Sequence, residues 1–150
     1  MNNRHSIGLC HQSLSLRRGS STVCDGIGTD IVPVARVEAL VQQRGTTFLE
    51  RWFTQGEISY CYTKAHPARH LAARLAAKES VLKALGWSWD GPVPWRSVEV
   101  LHDERGAPTV RLHGPIADAA AEARVSVIRI SLSHCDEFAT AVATVAVAGA

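Results

Sequence analysis

The chain has 150 residues, of which 46% are hydrophobic and 20% are charged, and this composition is typical of a globular protein rather than a disordered one. The formal net charge is only +2 and no dense basic stripe occurs, which argues against nucleic acid as the main ligand. No apolar run reaches the ~18 residues that a membrane-spanning helix needs. We therefore expect one domain with a single core, no nucleic-acid partner and no membrane partner.

The four cysteines are too scattered for a zinc site and too few for a disulfide scaffold; they are Cys10, Cys24, Cys61 and Cys135. Because disulfide-poor chains are typical of reducing compartments, we expect a cytoplasmic protein.

Residues 1–22 differ from the rest of the chain. They contain three arginines and several serines but no acidic residue, and they lack the continuous apolar segment of a secretory signal. Organelle transit peptides have a similar composition, but a flexible tail or a wrongly assigned start codon is the simpler interpretation. We predict a flexible extension over residues 1–22 and a functional domain over residues 23–150.

The first predicted element is a strand over residues 23–27 that continues into Asp30. Its two glycines would let the backbone approach another element closely; they are Gly26 and Gly28. Pro33 suits the first turn of the helix that follows. The apolar residues of that helix have helical spacing, and Gly45 is its predicted end.

Two further helices are predicted before residue 90. Residues 48–62 form an amphipathic helical region, in which Thr54 and Glu57 have the spacing of a capping box. The longest helix is predicted over residues 68–85, and Gly86 would terminate it.

In the second half of the chain, hydrophobic and polar residues alternate as they do in β-strands. Residues 97–101 and 109–112 predict a β-hairpin, residues 115–124 an alanine-rich helix, and residues 126–133 and 138–147 two more strands. The predicted fold class is α+β, with a mostly antiparallel sheet packed against a long central helix.

The long helix carries an unusual group of charges. At about 100° per residue, its leucines form one apolar stripe with Lys78 near the middle, Arg74 one turn earlier and Glu79 at the edge. A buried lysine needs a partner, unless its stem packs while its ammonium reaches solvent. Three charges crowded beside a core predict a site for an anion and a cation.

Asp30 and His134 each allow two interpretations. Asp30 could be a helix N-cap, or it could join Glu79 as the second carboxylate of a magnesium site, since Mg²⁺ takes one or two carboxylates and fills its octahedron with water and phosphate oxygens. His134 follows a predicted strand, where it is either an ordinary turn residue or a donor to phosphate.

Five motifs, taken in order, resemble those of the holo-acyl-carrier-protein synthases, the small bacterial type of 4′-phosphopantetheinyl transferase. The motifs lie in residues 26–37, 48–60, 74–86, 98–108 and 131–134, and the resemblance extends over residues 23–147. It implies the 4′-phosphopantetheinyl transferase fold. It also implies transfer of phosphopantetheine from coenzyme A to a serine of apo acyl carrier protein, for fatty acid or polyketide synthesis.

The resemblance also implies residue roles. Asp30 and Glu79 would bind Mg²⁺ and, with Lys78, form the catalytic group. The implied contacts to coenzyme A are Arg74, Lys78, Lys83, Gly86 and His134, and those to the carrier protein are Arg36 and Arg51. A homotrimer with sites between neighbouring subunits is expected.

Some positions depart from the family pattern. Ser80 replaces a common alanine, Cys135 replaces a common serine or threonine, and residues 42–47 offer only Arg44 as a cation. Two other classes of function stay open. A coenzyme A or nucleotide-binding module would bind without transfer, and a structural subunit would need no metal and would pair Lys78 internally.

Overall fold

The computed structural model describes residues 24–86 and 93–148. The predicted extension over residues 1–22 lies outside this range. The elements in chain order are β1 (Gly26–Pro33), α1 (Val34–Trp52), α2 (Gln55–Tyr62), α3 (Pro67–Leu85), a short 3₁₀ turn (Trp95–Ser97), β2 (Val98–His102), β3 (Pro108–Leu112), α4 (Gly114–Glu122), β4 (Val125–His134) and β5 (Phe138–Val147). The α+β prediction is confirmed. Among the described helices, none combines the length and apolarity needed to cross a membrane.

The strands form two antiparallel sheets. One has the order β1-β5-β4 and the other is the β2-β3 hairpin. In the larger sheet β5 is central, and Asp30 of β1 lies opposite Ala141 of β5. The first and last strands of the described chain are therefore neighbours, which fixes β1 beside the C-terminal hairpin.

Helix α3 is buried around most of its circumference rather than along one stripe. Small residues on the faces beside the predicted leucine stripe let other elements pack closely; the buried alanines are Ala72, Ala73, Ala76, Ala77 and Ala84. The helix packs against β1, β5 and β4 on one side, and against α1, α2 and β2 elsewhere. The stripe predicted from the leucines was too narrow because alanine is also a core residue.

Strand β1 packs directly onto the backbone of α3. A Cβ atom on Gly26 would lie 1.9 Å from the Ala84 carbonyl oxygen, and one on Gly28 would lie 2.0 Å from the Ser80 carbonyl oxygen. Any other residue at either position would have to push strand and helix apart. The predicted close approach is confirmed, and it sets Asp30 beside the C-terminal half of α3.

The local stop signals act largely as predicted. Thr54 and Glu57 form the complete capping box of α2, and Gly86 ends α3 with a φ of 66°. Gly45 has φ 50° and ψ −130°, which is not helical, so it separates two helical stretches within Val34–Trp52, and the predicted end at Gly45 is confirmed. Asp30 lies inside β1, which excludes the N-cap interpretation.

Candidate functional site

Asp30 and Lys83 meet where β1 crosses α3. The Lys83 ammonium donates to Asp30 Oδ1 at 2.8 Å and to the Thr29 carbonyl oxygen at 3.0 Å. Both side chains reach solvent, with 20% of Asp30 and 52% of Lys83 exposed. The carboxylate is therefore open to a ligand from outside, and its present partner is a half-exposed lysine.

Glu79 joins this group from the preceding turn of α3. Burial raises the pKa of the Glu79 carboxyl, and the negative charge of Asp30 raises it further, while Lys83 and Arg36 act in the opposite direction. Asp30 and Glu79 thus lie within electrostatic range of each other, and their negative charges disfavour joint ionisation. A divalent cation between them would relieve that repulsion.

The donor set suits magnesium better than a metal that needs a protein cage. No group of three or more His, Cys, Asp or Glu side chains capable of holding a metal ion occurs in residues 24–86 and 93–148. Mg²⁺ keeps several waters and commonly binds one or two carboxylates together with substrate phosphates. Asp30 and Glu79, one from β1 and one from α3, fit that requirement.

Arg74 lies in a second group, built of aromatic rings. Its guanidinium is 2% exposed and lies 4.2 Å from the centre of the Tyr60 ring. One Nη is 3.5 Å from Nδ1 of His102, whose ring stacks on Tyr60 at 4.4 Å. The Arg74 Nε atom has no hydrogen-bond partner within the described part of the chain, so this side chain retains one unused donor.

His134 reaches the same region through His70. The two rings meet edge to face at 4.9 Å, and His134 is the last residue of β4, one residue beyond the predicted strand. Burial lowers the pKa of His70, and His134 and Arg74 lower it further. Burial and then Arg74 likewise lower the pKa of His102. The fold therefore brings Arg74 and His134 together in one cluster with His70 and His102.

Sequence reasoning missed His70 and His102. His70 precedes Arg74 by one helical turn, so the i, i+4 spacing could have revealed it. His102 ends β2 and joins the cluster only through the tertiary fold, and no sequence signal points to it.

Lys78 joins neither group. It is completely buried, and its ammonium donates to Glu57 Oε2 at 2.9 Å, to the Trp95 carbonyl oxygen at 3.0 Å and to the Val98 carbonyl oxygen. The Lys78 ammonium does not reach solvent. This excludes the interpretation in which the alkyl stem packs in the core while the charge stays exposed. Sequence reasoning found Glu57 only as a capping residue and missed its pairing with Lys78.

The remaining predicted residues lie on α1 and at the end of α3. Arg36 is exposed on α1, and its positive charge acts to lower the pKa of the Glu79 carboxyl. Arg51 lines a separate open cavity of about 580 Å³, together with Trp95, Arg96 and His113. Gly86 follows Lys83 by three residues at the end of α3.

The fold and the paired carboxylates define a class of protein. A sequence profile described as the 4′-phosphopantetheinyl transferase superfamily matches residues 26–143. The chain therefore belongs to this superfamily, in its holo-acyl-carrier-protein synthase family, and it is an enzyme of that class.

Individual relatives give the same assignment. The holo-[acyl-carrier-protein] synthase of Protochlamydia amoebophila is 42% identical over 118 residues, covering 79% of this chain and 94% of that protein. The synthase of Chlorobium phaeovibrioides is 46% identical over 108 residues, covering 72% and 83%. Among solved structures, the synthase of Neisseria meningitidis has a TM-score of 0.74 at 31% identity, covering 83% of this chain and 98% of that one. The Helicobacter pylori synthase in complex with coenzyme A has a TM-score of 0.69 at 30% identity, covering 79% and 98%.

Proposed function

We propose that this enzyme transfers 4′-phosphopantetheine from coenzyme A to a serine of an apo acyl carrier protein, with Mg²⁺ held by Asp30 and Glu79. The observation that carries the proposal is the convergence of these two carboxylates, from β1 and α3, at an open surface. The relatives named above support the substrates, since they are carrier-protein synthases and the Helicobacter pylori protein was solved with coenzyme A.

In this reaction the serine oxygen bonds to the β-phosphorus of coenzyme A while the bond from that phosphorus to the bridging oxygen breaks. Adenosine 3′,5′-bisphosphate leaves. Phosphoryl transfer depends mainly on positioning and charge neutralisation. When bound, magnesium supplies neutralising charge at the pyrophosphate. The serine proton has two routes, either directly to Glu79, whose pKa is raised, or to a water oriented by Asp30.

Lys83 is the best placed cation for the pyrophosphate. Its ammonium already lies 2.8 Å from Asp30, and a half-exposed lysine side chain turns with little cost. A metal at Asp30 would compete with the ammonium and leave it available for a phosphate oxygen. Gly86 lies at the end of the same helix, where the chain would pass near the nucleotide.

Arg74 and His134 are proposed to bind another phosphate of coenzyme A. Arg74 keeps a buried Nε atom without a partner in the described residues, and arginine suits phosphate oxygens. His70 and His102 extend the same cluster.

The carrier protein is proposed to bind along α1. Arg36 and Arg51 are both exposed on this helix, where they would face an acidic helix of the carrier. Because Arg36 lies within electrostatic range of Glu79, a carrier bound there would have its serine close to the metal site. The carrier serves fatty acid or polyketide synthesis.

A homotrimer is proposed as the active assembly. The outer face of the larger sheet displays large exposed apolar side chains, with Ile27 at 70%, Ile31 at 63%, Phe138 at 47% and Val142 at 40%. Such a patch on a sheet marks an interaction surface, and second copies of the chain would cover it. We also expect a reducing, cytoplasmic location, because Cys24, Cys61 and Cys135 are free thiols.

The decisive experiment is one incubation with apo carrier protein, coenzyme A and Mg²⁺, analysed by intact mass. We expect the carrier to gain one phosphopantetheine, and we expect no gain with a chelator or with Glu79→Ala. A carrier of unchanged mass in the presence of bound coenzyme A would favour a binding module instead. A metal-dependent, active Glu79→Ala enzyme would contradict the proposed ligands.

A further inference from the structure

Lys78 has no donor left for a substrate. An ammonium offers three N–H groups, and three acceptors surround this one: the Glu57 carboxylate, the Trp95 carbonyl oxygen and the Val98 carbonyl oxygen. No part of the side chain is exposed. A contact from Lys78 to a phosphate would therefore require at least one of these bonds to break.

Glu57 is held just as completely. Its Oε2 atom accepts from Lys78 and, at 2.9 Å, from the Thr54 amide; its Oε1 atom accepts from the Val100 amide at 3.0 Å. Glu57 is 1% exposed. The carboxylate thus links the start of α2, the middle of α3 and strand β2 in one bonded group.

Separating this pair would leave a buried carboxylate without its counter-ion. Breaking a buried ion pair by removing one partner is strongly unfavourable, because the remaining charge stays in a poorly solvated environment. A phosphate contact made by Lys78 would have to offset that cost in every catalytic cycle, whereas Lys83 already lies half exposed beside Asp30.

The pair also determines which way α3 faces. Lys78 and Glu79 are consecutive, so their side chains leave the helix about 100° apart. With Lys78 bonded toward α2 and β2, Glu79 lies on the side of α3 where Lys83, four residues later, pairs with Asp30 of β1 at 2.8 Å. A rotation of α3 that released Lys78 would also turn Glu79 away from Asp30.

We propose that Glu57 and Lys78 form a positioning pair, which fixes the rotation of α3 so that Glu79 faces Asp30, and that Lys78 does not contact coenzyme A. This inference rests on the proposed metal role of Glu79. It assigns to Glu57 a part in the reaction, and it replaces the phosphate contact that the family resemblance implied for Lys78.

The test is a double-mutant cycle of Glu57→Gln, Lys78→Met and the two combined, with Lys83→Met as the matched control for a phosphate contact. Glu57→Gln is the most informative single variant, because it preserves the shape of the side chain while it removes the charge and replaces one accepting oxygen with an NH2 group. We expect each single variant to lower both the unfolding midpoint and kcat. The fall in kcat should be about tenfold to a hundredfold, as expected for small displacements at a reacting centre, with little change in KM for coenzyme A.

The combined variant removes both charges together and should recover midpoint and kcat relative to Lys78→Met, since coupled residues are not additive. Lys83→Met should instead raise KM for coenzyme A and leave the midpoint unchanged. The proposal is overturned if Glu57→Gln keeps full kcat. It is also overturned if KM for coenzyme A rises equally in Lys78→Met and in the combined variant.

Failure of the proposed function would look different. In that case the unaltered enzyme would show no magnesium-dependent transfer, while the unfolding midpoints of the cycle would still measure the coupling between Glu57 and Lys78.

Discussion

At the scale of single residues, the site is defined by charged side chains that remain at least partly accessible. Asp30 is paired with Lys83, but Glu79 is partly buried and faces the charge of Asp30. By contrast, the buried charges of Glu57 and Lys78 neutralise each other. Charged groups that a ligand can reach indicate a binding site, and a charge pair enclosed in the core indicates a structural or positioning role.

Asp30→Asn should reduce transfer by about a hundredfold or more, a loss of the size seen when one electrostatic contact to a transition state is removed. The change preserves the shape of the side chain and removes the charge that attracts the cation. Transfer rates measured over a range of Mg²⁺ concentrations would show it. Asp118→Asn, on the exposed face of α4, is the control and should behave as the unaltered enzyme. Equal transfer by Asp30→Asn would contradict the proposed site.

The histidine cluster should make stability depend on pH. The pKa values of His70 and His102 are lowered in the folded protein, mainly by burial, so the unfolded chain takes up protons first. Stability is therefore fully present above the unfolded value of 6.5, and it is lost as the pH falls from there toward the folded pKa values.

Urea unfolding between pH 5 and pH 8 would measure this loss. We expect His70→Phe to reduce the slope, because phenylalanine preserves the edge-to-face contact with His134 but takes up no proton. An unchanged slope in that variant would show that His70 does not contribute.

At the scale of elements, the contact between β1 and α3 positions the site. Asp30 follows Gly28 by two residues, so both lie on the face of β1 that points toward the helix. The missing side chain at Gly28 lets the strand touch the Ser80 carbonyl. The Ser80 hydroxyl also donates to the Ala141 carbonyl oxygen at 3.0 Å, which ties the helix to β5. The serine that departs from the family pattern therefore has a structural partner.

Gly28→Ala should destabilise the fold and impair metal-dependent transfer together. The added methyl group would overlap a backbone oxygen that cannot move independently, and overpacking of this kind costs roughly 1–3 kcal/mol. Unfolding in urea and transfer at saturating Mg²⁺ would both be measured. Gly56→Ala is the control, because its added Cβ would meet only ordinary contacts at 3.8 and 3.9 Å. Full activity of Gly28→Ala would mean that the strand adapts without moving Asp30.

At the scale of the whole molecule, the sheet has one face covered by α3 and one face exposed. The outer face carries Ile27 and Ile31 on β1 and Val142 on β5. The inner positions of β5 are alanines that pack against α3, namely Ala139, Ala141 and Ala143. The exposed apolar residues do not pack into the core of the described subunit, and we propose that assembly covers them.

Ile31→Arg should dissociate the proposed trimer without unfolding the subunit. The side chain points away from the core, so a charge there is solvated in the monomer but would be buried between subunits. Analytical sedimentation would measure the mass of the assembly. The rate of transfer should fall as the assembly dissociates if the site lies between subunits. Tyr62→Arg, also exposed but on α2, should leave the mass unchanged. A single species of monomer mass for the unaltered chain would contradict the proposed assembly.

The sequence by itself determined the order of the elements and several of their ends, because capping, turn formation and hydrophobic periodicity act between residues that are close along the chain. The capping box of Thr54 and Glu57, the left-handed Gly86 and the β2-β3 hairpin were all predictable for that reason. The motif order was also enough to identify the family.

Only the tertiary structure decided which distant residues meet. It placed β1 beside β5, paired Lys78 with Glu57 and added His102 to Arg74. It also showed that the Lys78 side chain is completely buried, whereas the Lys83 side chain is half exposed to solvent. Helical spacing gives the direction of a side chain relative to its own helix, but burial and pairing depend on the elements that pack against that helix. Those contacts arise between segments far apart in the chain, so local patterns carry no information about them.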